Sequence, residues 1–122
     1  LPENVFFLGT MVNAARYNAA ADVFMLPSDY EGLPITIIEA MSMGRPVVAS
    51  NVGGVSEIVR DGENGFTVEN IPEEFAEKLR YILENPEIQK KFSCAARTRW
   101  QQTLTLQKMT EGYEKIYLRV TK

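Results

Sequence analysis

Val23-Phe24-Met25-Leu26-Pro27-Ser28-Asp29-Tyr30-Glu31-Gly32-Leu33-Pro34-Ile35-Thr36-Ile37-Ile38-Glu39-Ala40-Met41-Ser42-Met43-Gly44-Arg45-Pro46-Val47-Val48-Ala49-Ser50 is the stretch that decides the fold. It opens on a continuous apolar run stopped by Pro27 and closes on Val47-Val48-Ala49-Ser50 behind Pro46. Short apolar runs bounded in this way predict strands buried on both faces. Between them Ser28–Leu33 reads as a loop. Pro34 suits the first helical position, where its missing N–H would be unpaired anyway. The helix is expected to reach about Met43, with Gly44 as the left-handed residue past its end. Strand, helix and strand in this order predict a parallel sheet.

The same signals extend outward in both directions. Val5-Phe6-Phe7-Leu8, ending at Gly9, reads as a further buried strand, and Met11–Ala21 is Ala-rich and helix-forming. Downstream come a Gly53-Gly54 loop, a short helix over Val55–Val59 and the turn cluster Asp61-Gly62-Glu63-Asn64-Gly65. Phe66-Thr67-Val68 reads as a fourth strand. Helices are expected over Glu73–Glu84, from Glu87 to about Gln102, and from about Leu104 to Val120, with Pro86 separating the first two. The predicted architecture is α/β: a partial Rossmann-like parallel sheet flanked by helices, with a helical C-terminus. It forms one partial domain over residues 1–122, an α/β core (1–71) followed by C-terminal helices (72–122). Ligands bind such sheets outside the carboxyl ends of the strands. Gly9, the Ser28–Leu33 loop and the Ser50–Gly54 loop are all expected at that edge.

Composition removes several classes of function. A net charge of −3 leaves no electrostatic footprint for nucleic acid. No apolar stretch approaches the roughly 18 residues of a membrane span. The chain has no His, which excludes imidazole bases, Ser-His triads and the commonest metal ligand. A single Cys94 excludes an internal disulfide and a thiolate cluster, and among Phe92, Ala95 and Ala96 it is expected to be a buried or half-buried structural thiol. The start at Leu1-Pro2, without an initiator Met or a visible signal peptide, reads as that of an excised piece. A cytoplasmic protein, peripheral to a membrane at most, is the compatible setting.

The chemistry concentrates in Glu31-Gly32-Leu33-Pro34 and Glu39. Gly32-Leu33-Pro34 is either a tight turn that starts a helix or a place where a ligand approaches backbone amides closely. Glu31 either interacts with the helix dipole, worth about 0.3–1 kcal/mol, or accepts hydrogen bonds from sugar hydroxyls. Glu39 lies roughly 7.5 Å along the helix axis from its start, among Ile37, Ile38, Ala40 and Met41. It is either solvent-facing, or paired with Arg45, or a partly buried carboxylate reserved for a diol such as ribose. Gly53-Gly54 is either a flexible turn or a loop that brings N–H groups to a phosphate. Ser28 and Asp29 have no His to support a nucleophile, and Asp29-Tyr30-Glu31 lacks metal-ligand spacing. Trp100 is expected to dock the long helices onto the sheet, with Arg97 and Arg99 in solvent.

Taken in order, these landmarks resemble the C-terminal, donor-binding half of GT-B glycosyltransferases, especially the retaining family 4 (glycosyl transferases group 1). They are Ala21-Asp22-Val23-Phe24-Met25-Leu26-Pro27-Ser28, Glu31-Gly32-Leu33-Pro34, Glu39-Ala40-Met41, Gly44-Arg45-Pro46-Val47-Val48-Ala49-Ser50, Gly53-Gly54-Val55-Ser56-Glu57 and Asp61-Gly62-Glu63-Asn64-Gly65-Phe66. The resemblance implies that Glu31 and Glu39 are the acids of an E-x7-E motif. Glu31, the catalytic residue, would contact the transferred sugar, and Glu39 the ribose hydroxyls. Gly32, Leu33 and Pro34 would face sugar and diphosphate, Gly9 the nucleobase, and Gly53 and Gly54 the same cleft. The last helices, with Trp100 and Tyr113, would pack back towards an acceptor-binding N-terminal domain.

The resemblance also implies a hexosyltransferase acting on a nucleotide-diphosphate sugar, without metal or other cofactor. Acceptor alignment and electrostatic stabilisation of the leaving diphosphate would carry the reaction in place of a protein base. The family's Arg/Lys pair for the diphosphate precedes the Val5 segment and is missing here, as are the first part of the donor sheet and the acceptor domain. The piece alone is therefore expected to lack turnover. Two alternatives stay open: a nucleotide-sugar epimerase of the same fold, and a non-catalytic interaction module built on it.

Overall fold

The computed structural model describes residues 1–122. Val47–Ser50 form the central strand β2, in which every residue is buried. On one side β2 pairs in parallel with β1 (Phe24–Leu26), in the register Phe24–Val47, Met25–Val48 and Leu26–Ala49. On the other it pairs in parallel with β3 (Gly65–Val68), from Val47–Gly65 to Ser50–Val68. The sheet order is β1-β2-β3, so β1 and β3 are its edges. Helices follow each strand: α1 (Ile35–Ser42) after β1, the one-turn α2 (Val55–Ile58) after β2, and α3 (Pro72–Glu84) after β3. Then come α4 (Pro86–Arg99), a π-helical turn at Trp100–Leu104, and α5 (Leu106–Val120). No helix is long and apolar enough to cross a membrane.

Side-chain alternation along β2 divides the core in two. Val47 and Ala49 point to one face and pack with Ile37 and Met41 of α1 and with Val55, Ile58 and Val59 around α2. Val48 points to the other and packs with Val68 of β3, Phe75 and Ile82 of α3, and Phe92 of α4. Helix α4 serves both clusters, Phe92 on one side and Ala96 on the other. Trp100 and Leu104, half-buried, extend the α1/α2 cluster, so Trp100 docks as expected.

Several expectations are corrected. Val5–Leu8 is not a strand. Phe6 is 78% and Phe7 82% exposed, and the segment's one backbone hydrogen bond runs from Val5 N–H to Pro2 O. A strand exists only where a neighbour supplies the ladder, and the three-stranded sheet offers this segment none. Met11–Ala21 is a 3₁₀ helix over Ala14–Ala20, entered through Asn13 in the left-handed region. Pro34 is the N-cap of α1 with an extended backbone, not its first helical residue. Cys94 is exposed. It lies two residues from both Phe92 and Ala96, and at 3.6 residues per turn that spacing places it on the outer side of α4.

Arg97 is exposed as expected and Arg99 only partly so, but both are bonded to the chain. Arg97 Nη1 donates to the Ser42 carbonyl at the end of α1, and Arg99 donates to the Glu57 and Ile58 carbonyls at the end of α2. These are the orphan acceptors of helix C-termini, where positive charge is also favoured by the dipole.

Candidate functional site

The loops after β1 and β2 meet at the carboxyl edge of the sheet. Buried Ser50 ends β2, and its Oγ accepts from Ser28 N–H at 2.9 Å, which ties the start of the first loop to the second strand. Ser28 Oγ in turn donates to Glu31 Oε1 at 2.7 Å, so the Glu31 carboxylate is held before any ligand arrives. Asn70, just past β3, donates to Asp29 Oδ1 at 2.7 Å and fixes the outer side of the same loop.

The Gly53-Gly54 loop presses against this turn. Gly54 N–H donates to Gly32 O at 2.7 Å. Gly53 has φ +52°, and a Cβ there would collide with the Glu31 carbonyl oxygen; one at Gly54 would lie 2.7 Å from Gly32 O. The two glycines are therefore needed for close backbone packing, and the Gly54 amide is committed within the chain. This local role was not among the readings the sequence suggested. The clue to Ser28 is its position three residues before a Glu, the spacing of a capping box, here used inside a loop rather than at a helix start.

Helix α1 rises from the same turn. Pro34 has no side chain to cap it, and the first helical bonds run from Ile37 and Ile38 N–H to Pro34 O. The amides of Ile35 and Thr36 precede those bonds and remain available to an acceptor, where the dipole favours an anion. Glu39 is half-buried on α1, and its carboxylate takes no hydrogen bond from the chain. It does not pair with Arg45, whose guanidinium donates to the Met43 and Ala21 carbonyls.

Of the residues singled out by sequence, Glu31, Gly32, Leu33, Gly53 and Gly54 form one packed group, with Pro34 opening the helix that carries Glu39. Gly9 stands apart in the exposed N-terminal segment, with φ +67° and nothing around its Cβ position. The Glu31 carboxylate and the first-turn amides of Ile35 and Thr36 belong to this loop and the helix start that follows it, and Glu39 lies further along the same helix. Such carboxylates can accept hydrogen bonds from hydroxyls, and such amides can donate them to an anion. Concavities of about 480 Å³ beside Phe66, Tyr81 and Phe92, and of about 570 Å³ beside Met25, Pro27 and Phe75, are lined by other residues.

The model of the glycosyl transferases group 1 family matches residues 1–99. A trehalose synthase from Pyrococcus horikoshii is 37% identical over 105 residues, which is 84% of this chain and 25% of that protein. The structure of Anabaena Alr3699/HepE in complex with UDP superposes with a TM-score of 0.87 at 26% identity, covering 93% of this chain and 32% of the other. The same protein in complex with UDP-glucose gives a TM-score of 0.77 at 30% identity, covering 84% and 29%. The chain thus spans between a quarter and a third of the length of these proteins. By sequence and by fold, it belongs to the glycosyl transferases group 1 family and carries part of a GT-B fold.

Proposed function

We propose that this chain is the donor-binding part of a retaining hexosyltransferase that moves a sugar from a nucleotide-diphosphate sugar to an acceptor. The observation that carries the reading is the packed junction of the Glu31-Gly32 turn with the Gly53-Gly54 loop, at the foot of a helix bearing Glu39. Glu31, oriented by Ser28, accepts hydrogen bonds from the transferred sugar. Glu39 accepts them from the ribose hydroxyls. The free first-turn amides of α1 face the diphosphate, whose charge grows as the sugar leaves. Preorganised donors aimed at developing charge are an effective way to lower such a barrier. Likeness to a structure holding UDP-glucose supports a nucleotide-sugar donor. The partners on this reading are the donor and an acceptor-binding half, and the chain alone does not turn over.

Ligand-observed NMR of the chain with UDP-, GDP- and ADP-sugars tests this, with Glu39→Ala as control. One nucleotide class should bind at a Kd near or above roughly 1 mM, about 4 kcal/mol, because a single wet wall supplies little of the diphosphate's countercharge. Sub-micromolar binding would contradict a half-site. Binding that survives Glu39→Ala unchanged would remove Glu39 from it. Absence of binding, both by the chain and by an enzyme in which it is joined to an acceptor half, would overturn the reading.

A further inference from the structure

Helix α2 is one turn long, too short to persist on intrahelical bonds alone. Its C-terminal carbonyls are nevertheless satisfied. Arg99, from α4, donates Nε to Ile58 O at 3.1 Å and its second nitrogen to Glu57 O. Buried Asn64 also donates to Ile58 O, at 3.1 Å. At its other end α2 follows directly on Gly54, whose N–H holds Gly32 O. Arg99 of α4, together with Asn64, therefore grips the far end of the element that begins at the wedge against Glu31-Gly32.

We infer that Arg99 is a positioning residue of the donor site, acting through α2 on the Gly53-Gly54 loop and thereby on the Glu31-Gly32 turn. The inference rests on the donor-site reading above. Arginine suits the task because its planar fork can serve two carbonyls at once, which a lysine ammonium on a flexible stem does less well. Its charge also lies at a helix C-terminus, where it is favoured. Burial, with repulsion from Arg60 next, lowers the Arg99 pKa from its ordinary value, while Glu63 opposes this. An ordinary arginine pKa stands so far above neutrality that the guanidinium stays charged. Arg97 makes the equivalent contact at the end of α1, so both helices that start at the ligand edge are gripped at their far ends from α4.

The test is amide hydrogen exchange of the ¹⁵N-labelled chain, with Arg99→Met (stem kept, donors lost) and Arg99→Lys (charge kept, fork lost). In Arg99→Met the Gly54 amide should exchange roughly tenfold faster or more, the change expected from one charge-assisted hydrogen bond. The β2 amides, which report global opening, should keep their rates. Arg99→Lys should fall between. The Kd for whichever of the UDP-, GDP- and ADP-sugars binds should rise in step with the Gly54 rate.

Equal acceleration of Gly54 and β2 would make Arg99 a general stabiliser and overturn the inference. So would faster Gly54 exchange with unchanged sugar-nucleotide affinity. A wild-type chain that shows Gly54 protection but binds no nucleotide-sugar, even when joined to an acceptor half, would instead defeat the donor reading. The exchange comparison would then still decide whether Arg99 holds the loop.

Discussion

Val5-Phe6-Phe7-Leu8 and Val47-Val48-Ala49-Ser50 carry the same local message and meet opposite fates. Both are short apolar runs of strand-forming residues. The second is the fully buried centre of the sheet, and the first lies open to solvent. What separates them is company. β2 has a parallel partner on each edge and helices on each face, whereas residues 5–8 have none of these. Without a neighbouring strand to take its backbone groups an apolar run gains no ladder, so apolarity alone does not place a strand.

The strongest way to break this contrast is to attack the junction that β2 supports. Gly53→Ala adds a side chain where the backbone is left-handed and the Glu31 carbonyl fills the space. Destabilisation of about 2–4 kcal/mol is expected from strain and overpacking together, read as a lower denaturant midpoint, with loss of donor binding. Next comes Val48→Ala, which empties part of the core beneath α3 and should lower unfolding free energy by about 2–3 kcal/mol. Its counterpart Phe7→Ser should change that energy by no more than about 0.5 kcal/mol, because the ring touches little to begin with. A large effect of Phe7→Ser would mean that the segment packs in solution and that the contrast is false.

An effect smaller than those of Gly53→Ala and Val48→Ala is expected at the site. Ser28→Ala removes the hydrogen bond that orients Glu31 and should weaken donor binding by roughly tenfold or less, with stability nearly unchanged. The smallest concerns α5. Hydrogen bonds from Gln107 and Lys108 hold the Glu111 carboxyl below its ordinary pKa. A depressed folded value means that its contribution is complete above the ordinary Glu range near about 4.3 and is lost as pH falls through the folded value. Glu111→Gln should therefore lower α5 helicity slightly at neutral pH and flatten its acid limb, both followed by circular dichroism.

Much of the fold could be read residue by residue. The Pro-bounded runs around Phe24 and Val47, the helix ending at Gly44 and the turn cluster before Gly65 all stand where their local chemistry puts them. The errors share a cause in tertiary context. Residues 5–8 lacked partners, Cys94 fell on the wrong side of a helix whose inward face is set by Phe92 and Ala96, and Arg97 and Arg99 found carbonyls far away in sequence. At the site, the residues were legible but their mutual dependence was not. That Gly53 must lack a Cβ because of Glu31 is a fact about two loops, and no window of sequence contains both strands' ends in contact.

The order of the sheet has a consequence for how the chain finds its structure. Strands that follow one another in sequence lie side by side, and each pairing closes only about twenty residues of chain, a length at which the entropy of closure grows slowly. Each strand-helix-strand unit can therefore settle on its predecessor as the polypeptide lengthens, with β2 as the template for both neighbours. Helix α4 is the first element that must reach back to both faces of the sheet at once, so its docking closes both halves of the core together.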